Sequence, residues 1–158
     1  MQAISPFLWF DTRAEEAAEF YVGIFDNSRI RSVSRYPEGS PYPAGTAMVV
    51  DFELDGLEFQ AINAGPHFTF SEAISFYVKA ETQEKIDRLW NALTADGGEE
   101  SMCGWLKDKF GLSWQIVPPI LGDLLSSPDP EASGRTMRAM MSMRKLDIAA
   151  LQAAHDAA

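Results

Sequence analysis

Twice along this chain a short run of apolar and aromatic residues leads into a helical pattern, and each helix is followed by several extended segments. A strand-helix-strands unit that recurs limits the fold more than any composition value, because both copies must bury the same kind of face. In the first copy, residues 4–10 contain Phe7, Trp9 and Phe10 and read as a strand. Thr12 and Glu15 have capping-box spacing, and Ala14, Ala17, Ala18, Tyr21, Ile24 and Phe25 recur at helical spacing, which predicts a helix over 13–25. Residues 29–36 read as a strand. The loop 37–45 carries three prolines and two glycines, and residues 46–54 and 57–63 form a hairpin turned at Asp55-Gly56.

The second copy opens after the break at residues 64–66. Residues 72–80 read as a strand in which Ile74, Phe76 and Val78 alternate, and Thr82 opens a helix with Ile86, Leu89, Trp90 and Leu93 on one face. Gly97 and Gly98 end that helix. A short strand near Glu99 and two longer ones, 102–107 and 113–117, complete a second β-α-β-β-β unit. Pro118-Pro119 then stops the sheet. A short helix over 120–125, a helix capped by Asp129 with Pro130 at its first position, and a last helix over 147–154 with Ile148 and Leu151 inward follow. Met137, Met140 and Met141 are expected to give the middle helix its apolar face, for a core or a dimer contact. The fold class is therefore α+β: two βαβββ modules, residues 1–64 and 70–118, forming a cup-shaped sheet, with a helical extension over 119–158.

Charge narrows the partners. The 158 residues carry a formal net charge of −10 with a pI near 4.5, so phosphate backbones and anionic membranes are repelled and no nucleic-acid or membrane partner is expected. No apolar run is long enough to span a bilayer. Cys103 is the one cysteine, so no intrachain disulfide can form, and residues 1–10 have neither a basic start nor a long apolar stretch. A cytoplasmic location is the expectation.

Several stretches resemble the PhnB-like proteins: residues 15–21 (EEAAEFY), 63–66 (NAGP), 71–76 (SEAISF), 103–118 (CGWLKDKFGLSWQIVP) and 141–148 (MSMRKLDI). The resemblance spans nearly the whole chain. It implies the glyoxalase/bleomycin-resistance/dihydroxybiphenyl-dioxygenase (vicinal oxygen chelate) fold, a cup-shaped site and a homodimer. Members often carry a demethylubiquinone methyltransferase label, yet a strand, Gly-rich loop and helix suited to S-adenosylmethionine are missing, since Gly97-Gly98 follows a helix instead of opening one.

Metal enzymes of this fold use two His, a Glu and one further ligand on four strands. The corresponding positions are near Ser5 or Pro6, near Ala73, and at Gln115, and the whole chain holds only His67 and His155. No metal and no cofactor are expected. The candidate ligand-binding residues are Phe7, Trp9, Asn63, His67, Ser113 and Gln115. Strand alternation puts Ser5, Phe7 and Trp9 on one face and Ser113, Gln115 and Val117 on another, with Trp114 beneath the helices. Each has a plainer alternative. Trp9 is also readable as core, Asn63 as a cap after its strand, and His67, a candidate base or hydrogen-bond donor, as an exposed loop residue. Cys103 reads as a nucleophile or a buried thiol, and Lys107-Asp108-Lys109 as a solvated hairpin tip. Two functions stay open: binding of a small apolar or planar molecule without a metal, or an enzyme, either a metal-dependent lyase, isomerase or dioxygenase, or the methyltransferase of the family label. A dimer with no ligand is a third.

Overall fold

Leu8 and Phe10 are buried while Phe7 and Trp9 are not, and that alternation orients the first sheet. A computed structural model describes residues 2–157. It divides into two compact units, residues 1–69 and 70–158.

In the first unit, β1 (Phe7–Phe10) is followed by α1 (Ala14–Ile24), β2 (Arg29–Arg35), β3 (Ala47–Leu54) and β4 (Leu57–Asn63). The strand order is β1-β4-β3-β2, with β1 parallel to β4 and the other pairs antiparallel. Leu8, Phe10, Val50, Phe52, Phe59 and Ala61 make the buried face, and α1 covers it through Ala14, Ala17, Ala18 and Tyr21. Three alanines let the helix come close. Tyr21 stacks on Phe52, and Phe52 on Phe59 at 5.3 Å between centroids. Asp55 and Gly56 both take positive φ, so the β3–β4 hairpin closes as a two-residue turn.

Two boundaries differ from the sequence reading. The first strand begins at Phe7, not residue 4: Pro6 has no N–H for the ladder, and Ile4 is 88% exposed. The Thr12/Glu15 capping box does not form. Arg13 is the cap residue and gives no side-chain cap, its guanidinium instead binding Glu16. The Ala14 N–H is taken by Asn63 Oδ1, so the donor that a local cap would serve is already satisfied. Glu15 pairs with Arg35.

The second unit repeats the order: β5 (Ser75–Lys79), α2 (Gln83–Thr94), a 3₁₀ turn at Ala95–Gly97, β6 (Glu99–Glu100), β7 (Trp105–Lys107) and β8 (Ser113–Val117), arranged β5-β8-β7-β6 with β5 parallel to β8. Thr82 caps α2 through the Lys85 N–H, and Ile86, Leu89, Trp90 and Leu93 are buried, as are Leu106, Trp114 and Ile116 of the sheet. The strand expected over 72–80 is shorter because β8 offers partners only for Ser75 to Lys79, and Ile74, just outside the paired residues, is 70% exposed. The strand expected over 102–107 starts at Trp105. Cys103 and Gly104 take positive φ, and their N–H groups go to the carbonyls of Met143 and Arg144.

The chain continues as α3 (Ile120–Leu125), α4 (Pro130–Met141) and α5 (Ile148–Asp156). Asp129 caps α4 with Pro130 at its first position, as the sequence predicts. Val117, Leu121, Leu124, Leu146 and Leu151 form a small core of their own. Gln83 ties this extension down, its amide donating to the Leu146 carbonyl and accepting from the Ile148 N–H. The methionine stripe is not the buried face of α4. Ala132 and Thr136 are buried and Met140 packs on the core, whereas Met137 and Met141 lie open, because four-residue spacing from Ala132 selects Thr136 and Met140.

Candidate ligand-binding faces

Each sheet has one face under its helix and one face away from it. In the first unit the face away from α1 is set by register: Phe7 lies beside Gln60, Trp9 beside Ile62, and Asp51 and Val49 continue those rows on β3. Trp9 is held in place by its indole N–H, which donates to the Gly65 carbonyl at 2.9 Å. Phe68 packs edge-on against it, with centroids 4.9 Å apart, and the exposed His67 ring lies 6.4 Å away. Phe7 and Phe68 are 52% and 65% exposed. This edge of the sheet is a fixed aromatic surface open to a ligand.

The same face turns polar across the sheet. Gln60 and Ser32 both donate to the Asp51 carboxylate at 2.8 Å. Arg31 bridges Glu53 and Glu58, and Arg29 pairs with Glu53. Asn63, expected toward a ligand, lies on the opposite, buried face. Its Oδ1 accepts from Ala14 at 2.7 Å, its Nδ2 donates to the Ala47 carbonyl at 3.1 Å, and its own carbonyl accepts the Tyr36 hydroxyl. Burial, with Tyr42 alongside, holds the Tyr36 phenol above its ordinary pKa, so it stays a donor.

In the second unit Tyr77, Gln115 and Trp105 form one row across β5, β8 and β7, on the face away from α2. Gln115 donates to Ser75 Oγ at 2.9 Å. In the adjoining row Ser113 lies between Ser75 and Lys107. Ser113 is 1% exposed, and its hydroxyl has no hydrogen-bond partner among the described residues. Trp114 lies on the other side of the sheet, packed on Phe76, as expected. The site residues missed from sequence are Tyr77, Trp105 and Phe68. Strict alternation over residues 75–79 and 105–107 would have found the first two, whereas Phe68 sits on a loop with no periodicity to read.

Asp108 corrects a reading. The tip 107–109 was expected to be a solvated turn, yet Asp108 is 2% exposed. Its carboxylate accepts from the Phe110 and Leu112 N–H groups and from the Trp114 indole at 2.9 Å. Two donors from the loop and one from β8 offset the cost of burying that charge. His155 is half-buried with Nδ1 3.0 Å from Asp156, whose carboxyl is held below the usual range by that contact.

The donor sets implied by the fold and by the methyltransferase label can be tested against these residues. Ser5, Pro6 and Ala73 bring no imidazole or carboxylate, and Gln115 gives its amide to Ser75. Among the described residues no three His, Cys, Asp or Glu side chains are grouped to hold a metal ion. These residues do not fit a divalent cation site. Gly97-Gly98 is not a loop that opens a helix toward S-adenosylmethionine: a Cβ at Gly98 would meet the Thr94 backbone at 2.6 Å, and Gly97 takes a φ of +112° in the turn between α2 and β6.

Comparison with known proteins places the chain. Residues 2–117 match the family model described as 3-demethylubiquinone-9 3-methyltransferase. The solved PhnB protein from Bacillus cereus, which bears a provisional label of that same activity, is 41% identical over 74% of this chain and 99% of its own, with a TM-score of 0.69. A protein from Pseudomonas aeruginosa is 21% identical over 75% of this chain and 98% of its own, with a TM-score of 0.62, a likeness of fold. No protein with a curated description matches. The matched region ends with β8, so the family model does not reach residues 141–148, which the sequence reading had included in the resemblance.

Proposed function

The chain belongs to the PhnB-like family of 3-demethylubiquinone-9 3-methyltransferase description, and from that premise we propose that it is a protein of the glyoxalase superfamily that binds a small apolar or planar molecule without a metal. The observation that carries this reading is the Trp9 surface. Trp9 is anchored by its hydrogen bond to Gly65 and flanked by the exposed rings of Phe7 and Phe68, which costs a ligand little ordering on arrival. His67 beside it supplies a polar contact. Methyl transfer, the activity in the family description, gains no support from the glycine pair, in which Gly98 packs on Thr94 and Gly97 turns the chain at positive φ.

Titration with 2-naphthol, followed by tryptophan fluorescence, tests the reading. Saturable quenching is expected, and Trp9→Ala should weaken it by about tenfold, the worth of a stacked aromatic contact with its buried area. A flat titration, or equal affinity in the variant, removes the proposal. A homodimer belongs to the same reading. Sedimentation at micromolar concentration is expected to give twice the chain mass, and a monomer there would end that part of it.

A further inference from the structure

Ser113 carries an unpartnered hydroxyl at 1% exposure, and that atom is the only buried side-chain nitrogen or oxygen without a partner among the described residues. A buried hydroxyl normally finds a partner. Ser113 lines a cavity of about 240 Å³ on the second sheet, together with Glu72, Glu99, Trp105 and Lys107. Every lining residue belongs to the second unit.

We propose that this cavity is a binding site for a small organic primary ammonium compound. The volume lies below the range usual for drug-sized ligands, so the occupant is compact. The charge decides its sign. Lys107 is the one cation lining the cavity, and it is already paired with Glu72. Glu99 adds a carboxylate that forms no ion pair among the described residues, and its field reaches the Lys107 ammonium. Glu100, also at the cavity, is tied to the Trp90 indole and to Arg144. An anion would meet a surplus of carboxylates.

Access and geometry agree with a cation. Lys107 is the cross-strand neighbour of Ser113, and its ammonium pairs with Glu72 at the cavity. The Lys107–Glu72 pair is exposed on both sides, and exposed pairs are weakly held. When Lys107 swings out, a ligand ammonium takes its place: one N–H to Ser113 Oγ, the others to Glu72 and Glu99, with Trp105 offering a ring face to the cation. Lys107 is thus a competitor for the site and not a ligand of it. An anion site would assign Lys107 the opposite role.

The test uses benzylamine, with benzoate and benzyl alcohol as charge controls, followed by amide chemical shifts on the intact chain. Saturable shifts centred on residues 105–107 and 113 are expected from benzylamine and not from benzoate. Lys107→Met should tighten benzylamine severalfold, and Ser113→Ala should weaken it by about tenfold, the worth of a hydrogen bond to a charged group. Ser113→Ala should leave folding intact, because it removes a hydroxyl that has no partner. Weaker benzylamine binding in Lys107→Met, preferential binding of benzoate or benzyl alcohol, or an unchanged Ser113→Ala each overturns the proposal. Benzylamine shifts at residues 105–107 and 113 with a flat 2-naphthol titration would keep this proposal and remove the Trp9 reading, so the two failures are separable.

Discussion

Asn63 Oδ1 accepts the N–H of Ala14 at 2.7 Å across 49 positions of sequence, so the last residue of β4 caps the helix that follows β1. The parallel pairing of β1 with β4 brings Phe10 opposite Asn63 and places the carboxamide at the mouth of α1. The same amide donates to Ala47 on β3, which ties α1 to the β3–β4 hairpin through one side chain.

Asn63→Ala should therefore cost about 2–3 kcal/mol, from a lost cap and a second buried hydrogen bond. Urea unfolding followed by circular dichroism measures it. A loss below about 0.5 kcal/mol would show that the cap is replaced locally by Thr12.

Asp108 offers a second case. Its carboxylate holds two backbone N–H groups and the Trp114 indole, so Asp108→Ala takes one acceptor from three donors, two of them buried. A destabilisation of about 3 kcal/mol or more is expected in the same unfolding measurement. Unfolding of the variant at the wild-type urea midpoint would mean that water replaces the carboxylate without cost.

Gly104 stands where a Cβ would meet the Ile116 carbonyl and the Leu146 side chain at 3.0 Å, with φ at +85°. Gly104→Ala should cost about 1–3 kcal/mol through strain and crowding. Hydrogen exchange should locate the loosening at the extension, because Leu146 anchors its core. Uniform loosening of both units would contradict that placement.

The Asp87 carboxyl is held below its ordinary value, first by the Gln83 amide and then by Lys145. A depressed folded value means the group adds stability above its unfolded pKa of 3.8, and that this is lost as pH falls through the lower folded value. Stability should drop on acidification below about pH 4, and Asp87→Asn should flatten that drop. An unaltered acid limb in the variant would assign the effect to other carboxylates. Because the group is exposed, the change is expected to be small.

Much of this was legible in the chain itself. Period-two alternation at Phe7–Phe10, the Asp55-Gly56 turn, the apolar face of Ile86, Leu89, Trp90 and Leu93, and the Asp129-Pro130 helix start all depend on neighbours in sequence, and all appear as read. So does the outward face of Trp9 and Gln115, since a strand alternates whatever it pairs with. What pairing alone decided is different in kind. Asn63 became a cap because a parallel strand brought it to Ala14. Asp108 became a buried acceptor because its loop and β8 together bring three donors onto it. The α4 methionines lost the buried face to Ala132, Thr136 and Met140 because the core beneath sits on that side. The sequence determined which residues share a face. The tertiary structure determined which polar atoms find partners, and so left the Ser113 hydroxyl without one: hydrogen bonds join atoms far apart in the chain, and no local period encodes them.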